Sequence, residues 1–183
     1  MAVLAGWFTS RREVVQWGGA WLDYPLVSTV MRSWLAEADQ ELPVRQCWTA
    51  LRQIASNRTR ELALADTASG NDEVVGHAQV VFDRRNVAGT LCRVAIAPSA
   101  RGLGIGPAML APIIADAFQN HGMQRIGLAV YPFNTPAIRL YRRLGVALEQ
   151  IASEWTRESA LIYCNLDSVG ARGPISQSKP IPF

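Results

Sequence analysis

The residues best suited to chemistry lie between Val94 and Gly145. Val94, Ala95 and Ile96 form a short apolar run that reads as the end of a buried strand, because Pro98 and Ser99 stop further pairing. Arg101, Gly102, Leu103, Gly104, Ile105 and Gly106 follow, and Pro107 suits the first turn of a helix. With three side chains missing, this backbone can curl and turn its N–H groups onto one anion at the positive end of that helix, so the segment reads as a phosphate cradle. A tight strand-to-helix turn alone needs fewer glycines. Two other phosphate loops fit worse: a dinucleotide fingerprint wants its third glycine where Pro107 stands, and the chain has no Gly-Lys-Ser or Gly-Lys-Thr.

Further along, Asn134, Ala137, Ile138 and Tyr141 recur at intervals of three and four, the spacing of one helix face that could line a groove. Asn134 or Thr135 caps this helix, Pro136 sits in its first turn, Arg142 and Arg143 suit its negative end, and Gly145 closes it.

Together, Arg101-x-x-Gly104-x-Gly106 between a strand and a helix, and Asn134-x-x-Ala137-x-x-x-Tyr141 ahead of Arg143-Leu144-Gly145, resemble the GNAT superfamily of acyl-coenzyme A dependent N-acyltransferases. The resemblance implies an α/β (α+β) fold, a mixed, largely antiparallel twisted sheet flanked by helices. It implies acetyl-CoA as cosubstrate, no metal, and a primary amine acceptor attacking the thioester directly. Residues 101 to 107 would hold the phosphates. Backbone N–H groups around Val94, Ala95 and Ile96 would meet the pantetheine and thioester, Asn134 and Ala137 would lie along the pantetheine arm, and Tyr141 would also be the general acid. Such chemistry needs a neutral amine, a donor to the thioester oxygen and a proton for the departing thiolate. A different class remains open: a module that holds acyl-CoA as a sensor or dimerisation platform without turnover. Tyr141 favours the enzyme.

The general base is the gap. Val74, Gly76, Ala78, Val80 and Phe82 alternate with Val75, His77, Gln79 and Val81, which sets His77 and Gln79 side by side on one face of a strand. His77 is a candidate base, although a lone strand histidine is more often structural. No acidic residue stands out on the strand before the cradle, where Arg93 occupies a place that could have held one. A water relay through His77, or through a carboxylate such as Asp83 brought in by the fold, is the other route. For the acceptor pocket, Trp17, Trp21 and Tyr24 surround glycines in a turn and are the candidates; Trp34, in an apolar stripe, reads as core. The acceptor itself is not written in a motif.

The elements around these residues follow from pattern and composition. At 183 residues, 49% hydrophobic and 18% charged, the chain suits one globular domain, expected over residues 1–166, with a Pro/Gly/Ser-rich tail over 167–183 expected to be flexible unless a partner chain, as in a homodimer, holds it. A net charge of +3 arises from scattered arginines, which does not indicate a nucleic-acid partner. Cys47, Cys92 and Cys164 lack the spacing of a disulfide frame or zinc site and suit a reduced cytoplasm, and neither a membrane span nor an export signal is visible. Two helices are expected between Trp7 and Gln40, the second with Val27, Val30, Met31, Trp34, Leu35 and Ala38 as its stripe. Residues 42–57 fit either a strand or a helix. Leu62–Asp66 and Val74–Phe82 read as a hairpin around a polar turn from Thr67 to Asp72. Thr90–Ala97 is the strand into the cradle, and residues 106–121 the helix after it, with Leu110, Ile113, Ile114, Ala117 and Phe118 inward and a bend at Pro112. A strand from Arg125 to Tyr131, the Tyr141 helix, and weak strands at Val146–Ile151 and Ser159–Asn165 complete the expectation.

Overall fold

The structure, a computed structural model, describes residues 2–53, 62–64, 72–149 and 162–167. Three helices come first: α1 (Ala2–Ala5), α2 (Arg11–Gly18) and α3 (Ser28–Ala38). Strands β1 (Arg45–Gln53), β2 (Leu62–Leu64), β3 (Asp72–Asp83) and β4 (Ala88–Ile96) follow. A single 3₁₀ turn (Pro98–Ala100) leads into α4 (Ile105–Gln119), then β5 (Arg125–Val130), α5 (Thr135–Arg143), β6 (Ala147–Glu149) and β7 (Ile162–Asp167). The strands form one sheet in the order β2-β1-β3-β4-β5-β7-β6, antiparallel throughout except for the parallel β4–β5 pair. This is the mixed, largely antiparallel sheet with flanking helices expected from the motifs. None of the described helices is long and apolar enough to cross a membrane.

One pairing differs from expectation. β2 and β3 do not form a hairpin, because β1 lies between them and pairs with both. Within the segment left open between helix and strand, Arg45–Gln53 is a strand, and its nine residues make a far longer ladder with β3 than the three residues of β2 offer, while residues 54–57 lie outside the described residues. It also buries Ala50 and Leu51. Of the expected polar turn, only Asp72 is described, and it already belongs to β3. Residues 150–151, 159–161 and the tail from 168 onward lie outside the described residues.

The alternation of β3 is realised. Gly76, Ala78, Val80 and Phe82 are buried on the side of α4, where a Cβ on Gly76 would stand 2.8 Å from Met109 Sδ. α4 buries Ile105, Gly106, Met109, Leu110, Ile113, Ile114 and Ala117, while Phe118 of the expected stripe is only partly buried. The helix runs unbroken through Pro112, which is exposed; the missing N–H deprives the carbonyl of Ala108, a residue also on the solvent side, and water can serve it there. On the opposite side of the sheet, α3 seats Met31 and Trp34, but Val27 and Leu35 of its expected stripe are exposed. The helix touches the sheet along a narrower seam than its sequence suggests. Ser10 caps α2, its hydroxyl accepting from the N–H of Glu13.

The parallel β4–β5 pairing covers only Ala88↔Arg125, Gly89↔Ile126 and Thr90↔Gly127. β4 continues to Ile96 and β5 to Val130, so the two strands part in the middle of the sheet. Main-chain groups on that edge of β4 lose their ladder partners there, which in a folded protein calls for another polar partner.

Candidate functional site

The parting strands open towards the glycine segment. Gly102 and Gly104 take left-handed conformations, φ +77° and +78°, and Gly104 is the N-cap of α4. A Cβ at either would meet nothing within 4 Å, so backbone conformation selects glycine there, and the space above both is open. Gly106 serves a different purpose. Its Cβ would come 3.1 Å from Leu140 of α5, so it lets the two helices approach. No side chain caps α4; Pro107 has no N–H and the Ala108 N–H is taken by the Gly104 carbonyl, so the N–H groups of Ile105 and Gly106, with those of the loop, are the ones placed to meet an external acceptor. Arg101 is exposed and its Nε donates to the carbonyl of Ile96 at 3.3 Å, tying the loop to the end of β4. Leu103 is exposed, Ile105 buried and Pro107 half-buried beside them.

α5 packs against the first turn of α4, where Leu140 meets Gly106. Asn134 caps it through Oδ1, which accepts from the Ala137 N–H at 3.4 Å, and this leaves its amide NH₂ to donate. Ala137 is half-buried, and Tyr141, one turn further on, is 7% exposed. Val94, Ala95 and Ile96 are half-buried on the stretch of β4 that does not pair with β5. The residues singled out by motif thus stand on β4, on the loop and first turn of α4, and on α5.

The other face of β3 and β4 carries a side-chain network. Gln79 Oε1 accepts from Arg45 Nη1 at 2.9 Å and from Arg93 Nη1 at 3.0 Å. With its oxygen so engaged, the Gln79 amide NH₂ faces His77 Nε2 at 3.0 Å and donates to it, which puts the imidazole proton on Nδ1. His77 is 2% exposed and Gln79 fully buried. Burial pushes the His77 pKa down to about 4. The sequence offered His77 as a base; here it is a neutral imidazole whose free lone pair is already taken. Asp83 is at the far end of β3, its carboxylate held by Asn86, and is no candidate either.

Aromatic rings close this face. Trp17 packs against Phe8 at 4.7 Å, Trp34 at 6.0 Å and His77 at 6.3 Å, and Trp21 meets Trp34 at 6.2 Å. Trp34 is buried, whereas Trp21 and Tyr24 are 57% and 43% exposed. The three expected acceptor residues therefore divide: Trp17 joins the core, and Trp21 and Tyr24 stand at the surface. The sequence reading missed Gln79, Arg45 and Arg93 as members of one network. The one visible signal was Arg93, a cation where an acidic residue could have been expected.

The model of a family described as the acetyltransferase (GNAT) family matches residues 24–146. A streptothricin acetyltransferase of Streptomyces lavendulae is 30% identical over 107 residues, 58% of this chain and 48% of that protein, so the match spans about half the length of that relative. A spermidine N-acetyltransferase of Vibrio cholerae, solved with CoA and spermine, superposes with a TM-score of 0.64 at 12% identity, covering 92% of this chain and 90% of that one. Mutant forms of the spermidine/spermine N-acetyltransferase of Vibrio cholerae give 0.58 at 13% identity over 80% and 76% of the two chains.

Proposed function

Because the chain belongs to the acetyltransferase (GNAT) family, we propose that it transfers an acetyl group from acetyl-CoA to a primary amine. The observation that carries this reading is the parted β4–β5 edge, which ends at a glycine loop with open space above Gly102 and Gly104. The cradle fits a pyrophosphate: its donors are backbone N–H groups at a helix N-terminus, and no side chain fills it. The unpaired edge around Val94, Ala95 and Ile96 offers main-chain partners to the amides of a pantetheine arm, and the Asn134 NH₂ offers one more. Acetyl-CoA, when bound, supplies the activated acetyl group.

Tyr141 is then the residue that gives a proton to the departing thiolate, since a phenol donates at neutral pH and has acidity close to that of a thiol. For the amine's proton, the network at His77 offers no free base. The one carboxylate that joins it among the described residues, Glu37, is paired to Arg45 at 2.8 Å. The acceptor therefore attacks as the free amine and releases its proton to water, with His77 holding Gln79 in place. The catalytic unit spans residues 1–166.

Thiol release from acetyl-CoA in the presence of an amine panel tests the transfer, and thermal shift tests the cradle. Acetyl-CoA is expected to raise the Tm, by mass action on the native state. Gly104→Val, a β-branched residue at φ +78°, should weaken that binding about tenfold or more. Gly106→Val is a poorer probe because it strikes Leu140. If Gly104→Val binds as tightly as the parent, the pyrophosphate lies elsewhere; if the parent binds but no amine releases thiol, acyl-CoA sensing replaces catalysis.

A further inference from the structure

β4 contains a register irregularity against β3. His77 pairs with Ala95 and Gln79 with Cys92, so Arg93 and Val94 together stand opposite the single residue Ala78. Arg93 is the bulged residue, at φ +51°, a left-handed conformation that favours glycine. Regular alternation would send its side chain to the α4 side with Leu91. The bulge sends it instead to the side of Cys92, among the tryptophans. The left-handed bulge residue thus aims its guanidinium at Trp34 and Gln79.

That guanidinium is poorly compensated. It stacks over Trp34 at 4.2 Å and stands 5.2 Å from the Trp21 ring, and its Nη1 shares the Gln79 oxygen with Arg45. Arg45 has a counter-ion in Glu37 at 2.8 Å, but no carboxylate among the described residues pairs with Arg93. Arg93 Nε is sealed from solvent without a hydrogen-bond partner. So is Trp17 Nε1, on a ring 6.0 Å from Trp34. Burial also lowers the Arg93 pKa, the sign expected of a desolvated cation. Stacking on tryptophan returns part of that cost, but a half-buried charge whose Nε is sealed, with no anion among the described residues and a second orphaned donor beside it, is an incomplete site.

We propose that this face binds a carboxylate of the acetyl acceptor, with Arg93 as its counter-ion and Trp21 and Trp34 as its walls, so that the acceptor is an amine that also carries a carboxylate. The inference rests on the acetyl-transfer reading and deepens it. A polycation such as spermidine would meet two guanidinium groups of like sign here, and selecting against it requires no further contact.

The test uses the full chain, saturating acetyl-CoA and matched amines that differ only in the carboxylate: lysine against 1,5-diaminopentane, ornithine against 1,4-diaminobutane, β-alanine against ethylamine, with spermidine alongside. The carboxylated member of a pair should be favoured in kcat/KM by ~30-fold or more, the scale of one desolvated charge pair. Arg93→Gln should erase that preference through KM, and Arg93→Lys should restore part of it, as a charge without the planar fork. Retention of the acetyl-CoA thermal shift shows that each variant is folded. Preference for the decarboxylated amines or spermidine, or an unchanged preference in Arg93→Gln, overturns the proposal. If no amine turns over, tryptophan fluorescence decides: quenching by the carboxylated amines that Arg93→Gln abolishes upholds the anion site while acetyl transfer fails, and no quenching by any of them overturns the site as well.

Discussion

The two sides of β4 are built by different means. Towards α4 and α5, the opening is lined by backbone: N–H groups of the loop at Gly102 and Gly104, the unpaired edge of the strand, and the cap at Asn134. Towards α2 and α3, it is lined by side chains converging from separate elements, with Arg45 from β1, Gln79 from β3, Arg93 from β4 and Trp34 from α3. A backbone site is fixed by local φ and ψ, and every family member that takes the same cosubstrate can reuse it. A side-chain site is free to change with the acceptor. On this view, substitutions on the first side should act on the cosubstrate and the chemistry, and substitutions on the second on the acceptor and on stability.

Tyr141→Phe is the largest test of that division. It removes one hydroxyl from the α5 face and leaves the buried ring, so acetyl-CoA should bind nearly as before while kcat falls by ~10²-fold or more, the scale of one general acid. Single-turnover kinetics would establish that the chemical step is being read. An unchanged chemical rate would make Tyr141 a packing residue and place all the chemistry in positioning.

On the acceptor side, the next effect is thermodynamic. His77 has a folded pKa of about 4 against an ordinary value of 6.5. Its pKa is depressed on folding, so the unfolded chain binds the proton first. The stability that neutral His77 contributes is complete above pH 6.5 and is lost as pH falls from 6.5 towards 4. The ceiling is ~3 kcal/mol across that window. Chemical denaturation from pH 7 to 4.5 should therefore show a steeper loss for the parent than for His77→Gln, which keeps a partner for Gln79 but does not titrate. Equal slopes would mean that His77 is solvated in solution and available as a base after all.

The same division explains what could be read from the chain. Gly102, Gly104, Asn134 and Gly145 announce themselves because each solves a local problem, a positive φ or a helix end, within a few residues of its neighbours. Helices α2, α4 and α5 and strands β3 and β4 follow from period and punctuation. The position of β1 between β2 and β3 is decided by a comparison of ladders across the chain, which no local pattern contains. Arg93 is the sharper case: alternation alone puts it on the α4 side, and only the bulge opposite Ala78 reverses it. Three glycines in a row of six also looked like one device, whereas Gly102 and Gly104 provide backbone conformation and Gly106 provides clearance for Leu140.

The smallest effect asks whether the acceptor side begins at its exposed rim. Trp21 is 57% exposed, yet its ring contacts the buried Trp34 at 6.2 Å and lies 5.2 Å from the Arg93 guanidinium. Truncating so exposed a ring leaves little cavity, so Trp21→Ala should change stability by no more than about 0.5 kcal/mol. As a wall, however, it contributes apolar area and a stacking surface to whatever stands against Arg93, worth ~1 kcal/mol. The expected result is a several-fold rise in KM for the acceptor, with the acetyl-CoA thermal shift unchanged, because the cradle on the other side of β4 shares no residue with Trp21. A shift in acetyl-CoA affinity of the same size would show that the two sides are coupled through β4. An acceptor KM equal to that of the parent would move the wall inward to Trp34 and leave Trp21 as surface.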